Sequence, residues 1–153
     1  MSILDAGKCP LVLLCHGFPA TKRVWRRQIE ALAQAGYRAV APDMRGYGET
    51  EAPPRPDQYT VLHAVGDLIA LLDALGERQA VLVGHDWGAT IAWQAALTRP
   101  DRFRPVVALT VPMMGLPPAP LRRYSPRTTK PCSTPYIFSS RAAPKSSSVG
   151  MSG

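Results

Sequence analysis

Apolar positions recur along this chain in two rhythms. Residues 10–15, Pro-Leu-Val-Leu-Leu-Cys, form a continuous apolar run ending at His16-Gly17-Phe18-Pro19. A strand buried on both faces reads this way when it delivers a loop at its carboxyl end. Trp25, Ile29, Leu32 and Ala33 then return at helical spacing as far as Gly36, a natural stop. Residues 37–41 read as a second strand feeding the loop Pro42-Asp43-Met44-Arg45-Gly46-Tyr47-Gly48, and the Pro-rich residues 52–57 are a connector. Val61, Leu62, Val65, Leu68, Ile69, Leu72 and Leu75 make an amphipathic helix closed by Gly76. Residues 80–83 are a third strand, residues 89–97 a helix ending before Arg99-Pro100, and residues 106–111 a fourth strand.

Strands alternating with helices predict the α/β class: right-handed crossovers and a mostly parallel sheet with flanking helices. The pattern supports one core domain over residues 1–115. From about Gly115 the chain turns to Pro, Ser, Thr and Arg with neither period. Residues 116–153 are therefore expected to be an irregular, disordered tail, because they bury too little apolar surface to offset chain entropy.

The formal charge of +7 on 153 residues invites a nucleic-acid reading. Its distribution removes that reading: residues 1–118 hold twelve Lys/Arg against eleven Asp/Glu, and residues 119–153 hold six Lys/Arg and no acid. A basic tail without aromatic interleaving or an amphipathic helix, on a neutral domain, implies no nucleic-acid partner. The longest apolar runs are too short to span a bilayer, and the N-terminus lacks the pattern of a signal peptide, so a cytoplasmic protein without a membrane span is expected. Cys9, Cys15 and Cys132 follow no metal-ligand spacing and read as reduced thiols; no metal site is predicted.

The chemistry concentrates at Gly84-His85-Asp86-Trp87-Gly88, which has the form Gly-x-nucleophile-x-Gly between a strand and a helix. Glycines two positions from the centre are a steric requirement of that turn. Where the usual elbow presents serine, this one presents Asp86, already ionised at neutral pH. A carboxylate attacks amides poorly but can open a strained or activated carbon, leaving an alkyl ester on the enzyme. Turnover then needs water, a general base and donors for a tetrahedral oxyanion. The backbone N–H groups of Trp87 and Phe18 are the candidate donors, because their loops leave strands at one edge of the sheet. The bland alternative, Asp86 as an ordinary helix N-cap, is outweighed by the strand before it, the helix after it and the His16-Gly17-Phe18-Pro19 loop upstream.

With those motifs in order, the chain from about Ala6 to Gly115 resembles an epoxide hydrolase of the α/β-hydrolase superfamily. The resemblance rests on His-Gly-Phe-Pro at 16–19, Pro-Asp-Met-Arg-Gly-Tyr-Gly at 42–48, Gly-His-Asp-Trp-Gly-Ala at 84–89 and Arg-Pro-Asp-Arg at 99–102. It implies a partial α/β-hydrolase fold, Asp86 as nucleophile, Phe18 and Trp87 as oxyanion-hole backbones, small to medium apolar epoxides as substrates, and no cofactor. His16, Gly17, Pro19, Gly84, His85 and Gly88 support the motif. Haloalkane and haloacetate dehalogenases, which use the same aspartyl-ester chemistry, are the near alternative; a non-catalytic fragment is the other.

The chain also departs from the family. Two further strands ordinarily precede the one at Leu11, and only about nine residues do so here. The tyrosine-bearing cap and the base histidine that the family carries downstream find no match. His16, His63 and His85 read as neutral structural residues of the oxyanion loop, a helix start and the elbow. Back-translated through synonymous codons and read from the third base, residues 128–145 can yield DEALFYTLYFQQPG, which resembles the cap segment of bacterial epoxide hydrolases. The reading frame is therefore expected to slip between about Pro117 and Tyr124, which sequencing of the gene tests.

Overall fold

In β2, Leu11–Cys15, successive side chains point to opposite faces, and every one of them is buried. Leu11, Leu13 and Cys15 enter one cluster, Val12 and Leu14 the other. A strand so placed must be central, and the sheet order β1-β3-β2-β4-β5 puts it there. The computed structural model describes residues 1–8 and 10–112. Its other strands are β1, Ile3–Gly7, β3, Arg38–Pro42, β4, Ala80–His85, and β5, Phe103–Leu109. β2 runs parallel to β3 and β4, and β4 parallel to β5.

The connecting helices are α1, Arg26–Gln34, entered through a 3-10 turn at Lys22–Trp25; α2, Val61–Ala74; and α3, Trp87–Thr98. Leu68, Leu71 and Leu72 of α2 and Ala92 and Ala95 of α3 pack with Leu13, Val40 and Leu82 on one face. Ile29 of α1 and Trp25 cover Val12, Leu14, Ala39 and Ala41 on the other. The α/β class with a mostly parallel sheet and flanking helices is thus observed.

One strand unread in the sequence appears, and two sequence expectations are corrected. A strand does precede Leu11: β1 pairs antiparallel with β3, from Ile3 opposite Pro42 to Gly7 opposite Arg38. Five residues of mixed polarity carry little period of their own. What secures them is the β3 ladder and the fork of Arg38 on Asp5, with Nε and a terminal guanidinium nitrogen 3.1 and 2.7 Å from its two oxygens. α3 begins at Trp87 rather than residue 89, and the last strand runs Phe103–Leu109 rather than 106–111. It stops early because Thr110 takes a φ of 75°, outside any strand. The tail expected to be disordered, residues 116–153, and the proposed frame slip lie outside the described residues.

A buried polar cluster ties β1 to the loop after β3. Lys22 Nζ donates to Asp43 Oδ2 at 2.6 Å, Glu49 Oε2 at 2.8 Å and Ser2 Oγ at 2.6 Å. Asp43 Oδ1 also accepts the Lys22 backbone N–H at 2.9 Å, and Oδ2 the Glu49 N–H at 3.1 Å. Arg45 forks onto Asp67 of α2 at 2.7 and 2.8 Å and reaches the Gln58 carbonyl at 2.8 Å. Together these contacts hold the 42–48 loop against the carboxyl edge of the sheet.

Candidate active site

Cys15 lies opposite Gly84 in the parallel ladder of β2 and β4. Both strands therefore release their loops at one edge, and the His16–Pro19 and Gly84–Gly88 turns meet there, as the topology requires. Asp86 sits between β4 and α3 with φ 56° and ψ −125°, a conformation disfavoured for a side-chain-bearing residue and kept only where surroundings enforce it. Its side chain makes no capping bond to the helix; only its carbonyl accepts the Ala89 N–H at 2.9 Å. The ordinary N-cap role is thus absent. The carboxylate faces the other loop instead, where Phe18 N–H donates to Oδ1 at 2.9 Å.

The glycines are explained by contact. A Cβ on Gly88 would lie 2.6 Å from the Cys15 carbonyl carbon and 2.8 Å from the His16 oxygen, and one on Gly84 2.6 Å from the backbone of Ala89. Either would push α3 off the sheet. A Cβ on Gly17 would sit 2.6 Å from Asp86 Cβ, so the Phe18 amide approaches the carboxylate only because residue 17 has no side chain. The Phe18–Pro19 bond is cis.

The Trp87 N–H and then the Phe18 N–H hold the Asp86 carboxyl below the usual carboxylate range, against the opposing effect of burial. The side chain is half-buried, with Phe18 and Trp87 exposed on either side at 67% and 59%. Beside Trp87 a cavity of about 260 Å³ is walled by Met44, Tyr47, Tyr59, Val61 and Ile91. Arg45 and Thr60 add polar groups to a lining that is otherwise mostly apolar.

The histidines are otherwise engaged. His16 is buried, donates from Nδ1 to the Gly17 carbonyl at 3.0 Å and accepts the Met44 N–H on Nε2 at 3.0 Å. Burial pushes its pKa down, opposed by the Gly17 carbonyl and by Asp43. Its ring stands edge-on to Tyr47 at 5.1 Å. His63 lies in the first turn of α2, where its N–H donates to the Thr60 cap at 3.3 Å. His85 makes no hydrogen bond to Asp86 among the described residues. No group of three His, Cys, Asp or Glu side chains among them is placed to hold a metal.

Two contributors were not read from the sequence. Thr110, placed there inside a strand, presents Oγ1 to the Asp86 N–H at 3.2 Å, and Trp93 of α3 donates from Nε1 to the Val111 carbonyl at 3.2 Å. The signal available was a polar residue two positions before Pro112, near the end of an apolar run.

A strand-elbow-helix turn with an aspartate at its apex, on a sheet of this order, is the arrangement of an α/β-hydrolase. The chain belongs to the alpha/beta hydrolase fold family, whose sequence profile matches residues 10–125. Within that family it is 60% identical over 114 residues to an epoxide hydrolase of Caballeronia sordidicola, covering 74% of this chain and 35% of the relative. It is 52% identical over 119 residues to epoxide hydrolase 3 of Siraitia grosvenorii, covering 78% and 38%. The crystal structure of an epoxide hydrolase from Vigna radiata superposes with a TM-score of 0.71 at 52% identity, over 73% of this chain and 37% of that one. An epoxide hydrolase from an endophytic Streptomyces gives 0.72 at 51%, over 72% and 34%. The chain thus spans little more than a third of the length of these relatives.

Proposed function

We propose that this chain carries the nucleophilic half of an epoxide-opening hydrolase. The observation that bears the proposal is the hydrogen bond from Phe18 N–H to Asp86 Oδ1 at 2.9 Å. It supports reading Asp86 as a carboxylate presented at the sheet edge with one oxygen held by a main-chain donor. In the first step the other oxygen attacks an epoxide carbon, a C–O bond of the ring breaks, and the released alkoxide takes a proton from a donor. In the second, water gives its proton to a base and adds to the ester carbon. Negative charge then develops on the oxygen already facing the Phe18 amide, with the Trp87 amide beside it. Cleavage of the ester bond releases the diol and restores the carboxylate.

The mostly apolar cavity beside Trp87 supports a small apolar epoxide as substrate, and the names of the relatives favour epoxide over haloalkane. The first step needs Asp86 above all; the second needs a base, and the three histidines of the described region are not placed for it. The expected outcome with styrene oxide is therefore one covalent adduct on Asp86 with little diol, read by intact and peptide mass spectrometry. Asp86→Asn abolishes the adduct. Absence of adduct in the wild-type chain, or labelling that persists in Asp86→Asn, overturns the proposal; rapid diol release overturns the single-step limit.

A further inference from the structure

Asp86 holds a backbone conformation that its own sequence disfavours, so something beyond the elbow must hold it. Its N–H points away from the helix toward the end of β5. There it meets the Leu109 carbonyl at 3.3 Å and Thr110 Oγ1 at 3.2 Å. The Thr110 hydroxyl in turn donates to the Leu109 carbonyl at 2.5 Å, closing a three-membered network. Thr110 itself has a φ of 75°. A β-branched residue is costly there, and such strain persists only where surroundings over-determine it. Trp93 Nε1, donating to the Val111 carbonyl at 3.2 Å, anchors the far side of the same turn to α3. Two strained residues on adjacent strand ends are thus joined through one hydroxyl.

We propose that Thr110 is a positioning residue for the nucleophile: its hydroxyl fixes the Asp86 main chain and thereby keeps the carboxylate aimed at the Phe18 and Trp87 amides. Its role in ester formation rests on the hydrolase reading above; the positioning of the carboxylate does not. Glycine at 110 would suit the backbone better than threonine, so strain relief and loss of the hydroxyl act in opposite directions and can be separated.

The test compares Thr110→Gly, Thr110→Val and Thr110→Ser in the full chain. The first relieves the strain, the second keeps the shape, and both delete the hydroxyl; the third retains it. Two readouts are taken: the Asp86 carboxyl titration by carbon-detected NMR, and the rate of Asp86 adduct formation with styrene oxide. With the hydroxyl gone, the Asp86 titration moves up toward the ordinary value of 3.8 in both Gly and Val. Adduct formation slows by roughly fivefold, the rate equivalent of one neutral hydrogen bond. Thr110→Ser matches wild type in both. A wild-type Asp86 titration in Thr110→Gly, or a Ser variant that shifts as far as Gly, overturns the proposal. If Val does not fold, the Gly and Ser pair decides. Normal shifts in titration without any adduct in the wild-type chain sink the hydrolase reading and leave the positioning role standing.

Discussion

At His16 both ring nitrogens are occupied, one donating to the Gly17 carbonyl and the other accepting the Met44 N–H. Only the neutral ring can do both, so the side chain staples the loop after β2 to the loop after β3 and is excluded as a base. The sequence reading placed it in the oxyanion loop as a neutral residue; it could not name Met44 as partner. Burial lowers its pKa from 6.5, so on acidification the unfolded chain binds the proton first. Its stabilising contribution is complete above pH 6.5 and is lost as pH falls from there through the lower folded value. Urea unfolding across that window should show wild type losing stability with acid and His16→Phe losing less. The variant should start lower by about 1–3 kcal/mol, the cost of stranding the buried Met44 N–H.

Among the elements, β1 and the 42–48 loop depend on ion pairs rather than on apolar period. That is why β1 was invisible in the sequence: Ile3 to Gly7 has no rhythm of its own, and its partners Arg38 and Lys22 lie far along the chain. Burial opposes charge on both Lys22 and Asp43, yet their mutual hydrogen bonds hold Lys22 above and Asp43 below their ordinary values. Removing one partner strands the other. Lys22→Met is expected to cost about 3–5 kcal/mol by chemical denaturation. It should also raise hydrogen exchange in residues 3–7 and 43–50 while β4 stays protected. Uniform loss of protection would show that the cluster does not belong to these elements in particular.

At the scale of the whole molecule, β5 is the outer strand of the sheet among the described residues. Val106 packs on the α2 and α3 face, so Val107 and Leu109 point to the other, where they are 46% and 43% exposed. Among the described residues β5 pairs only with β4. An edge strand with exposed apolar side chains templates association. The purified chain should self-associate with rising concentration, and Val107→Lys with Leu109→Lys should suppress this, as followed by light scattering. Monomeric behaviour of the wild-type chain throughout would refute it.

By itself the sequence determined the α/β class, the central strand, three crossover helices and the aspartate at the elbow. These are local: apolar period and a glycine-bracketed turn lie within a few residues of one another. It also placed Phe18 and Trp87 together, since parallel neighbours release their loops at one edge. Tertiary structure alone decided the antiparallel β1, the burial of Lys22 against Asp43, the double engagement of His16, and the grip of Thr110 on the Asp86 backbone. Each depends on contacts between residues twenty or more positions apart, Ile3 with Pro42, Lys22 with Asp43, His16 with Met44 and Asp86 with Thr110, and such contacts leave no periodic trace along the chain.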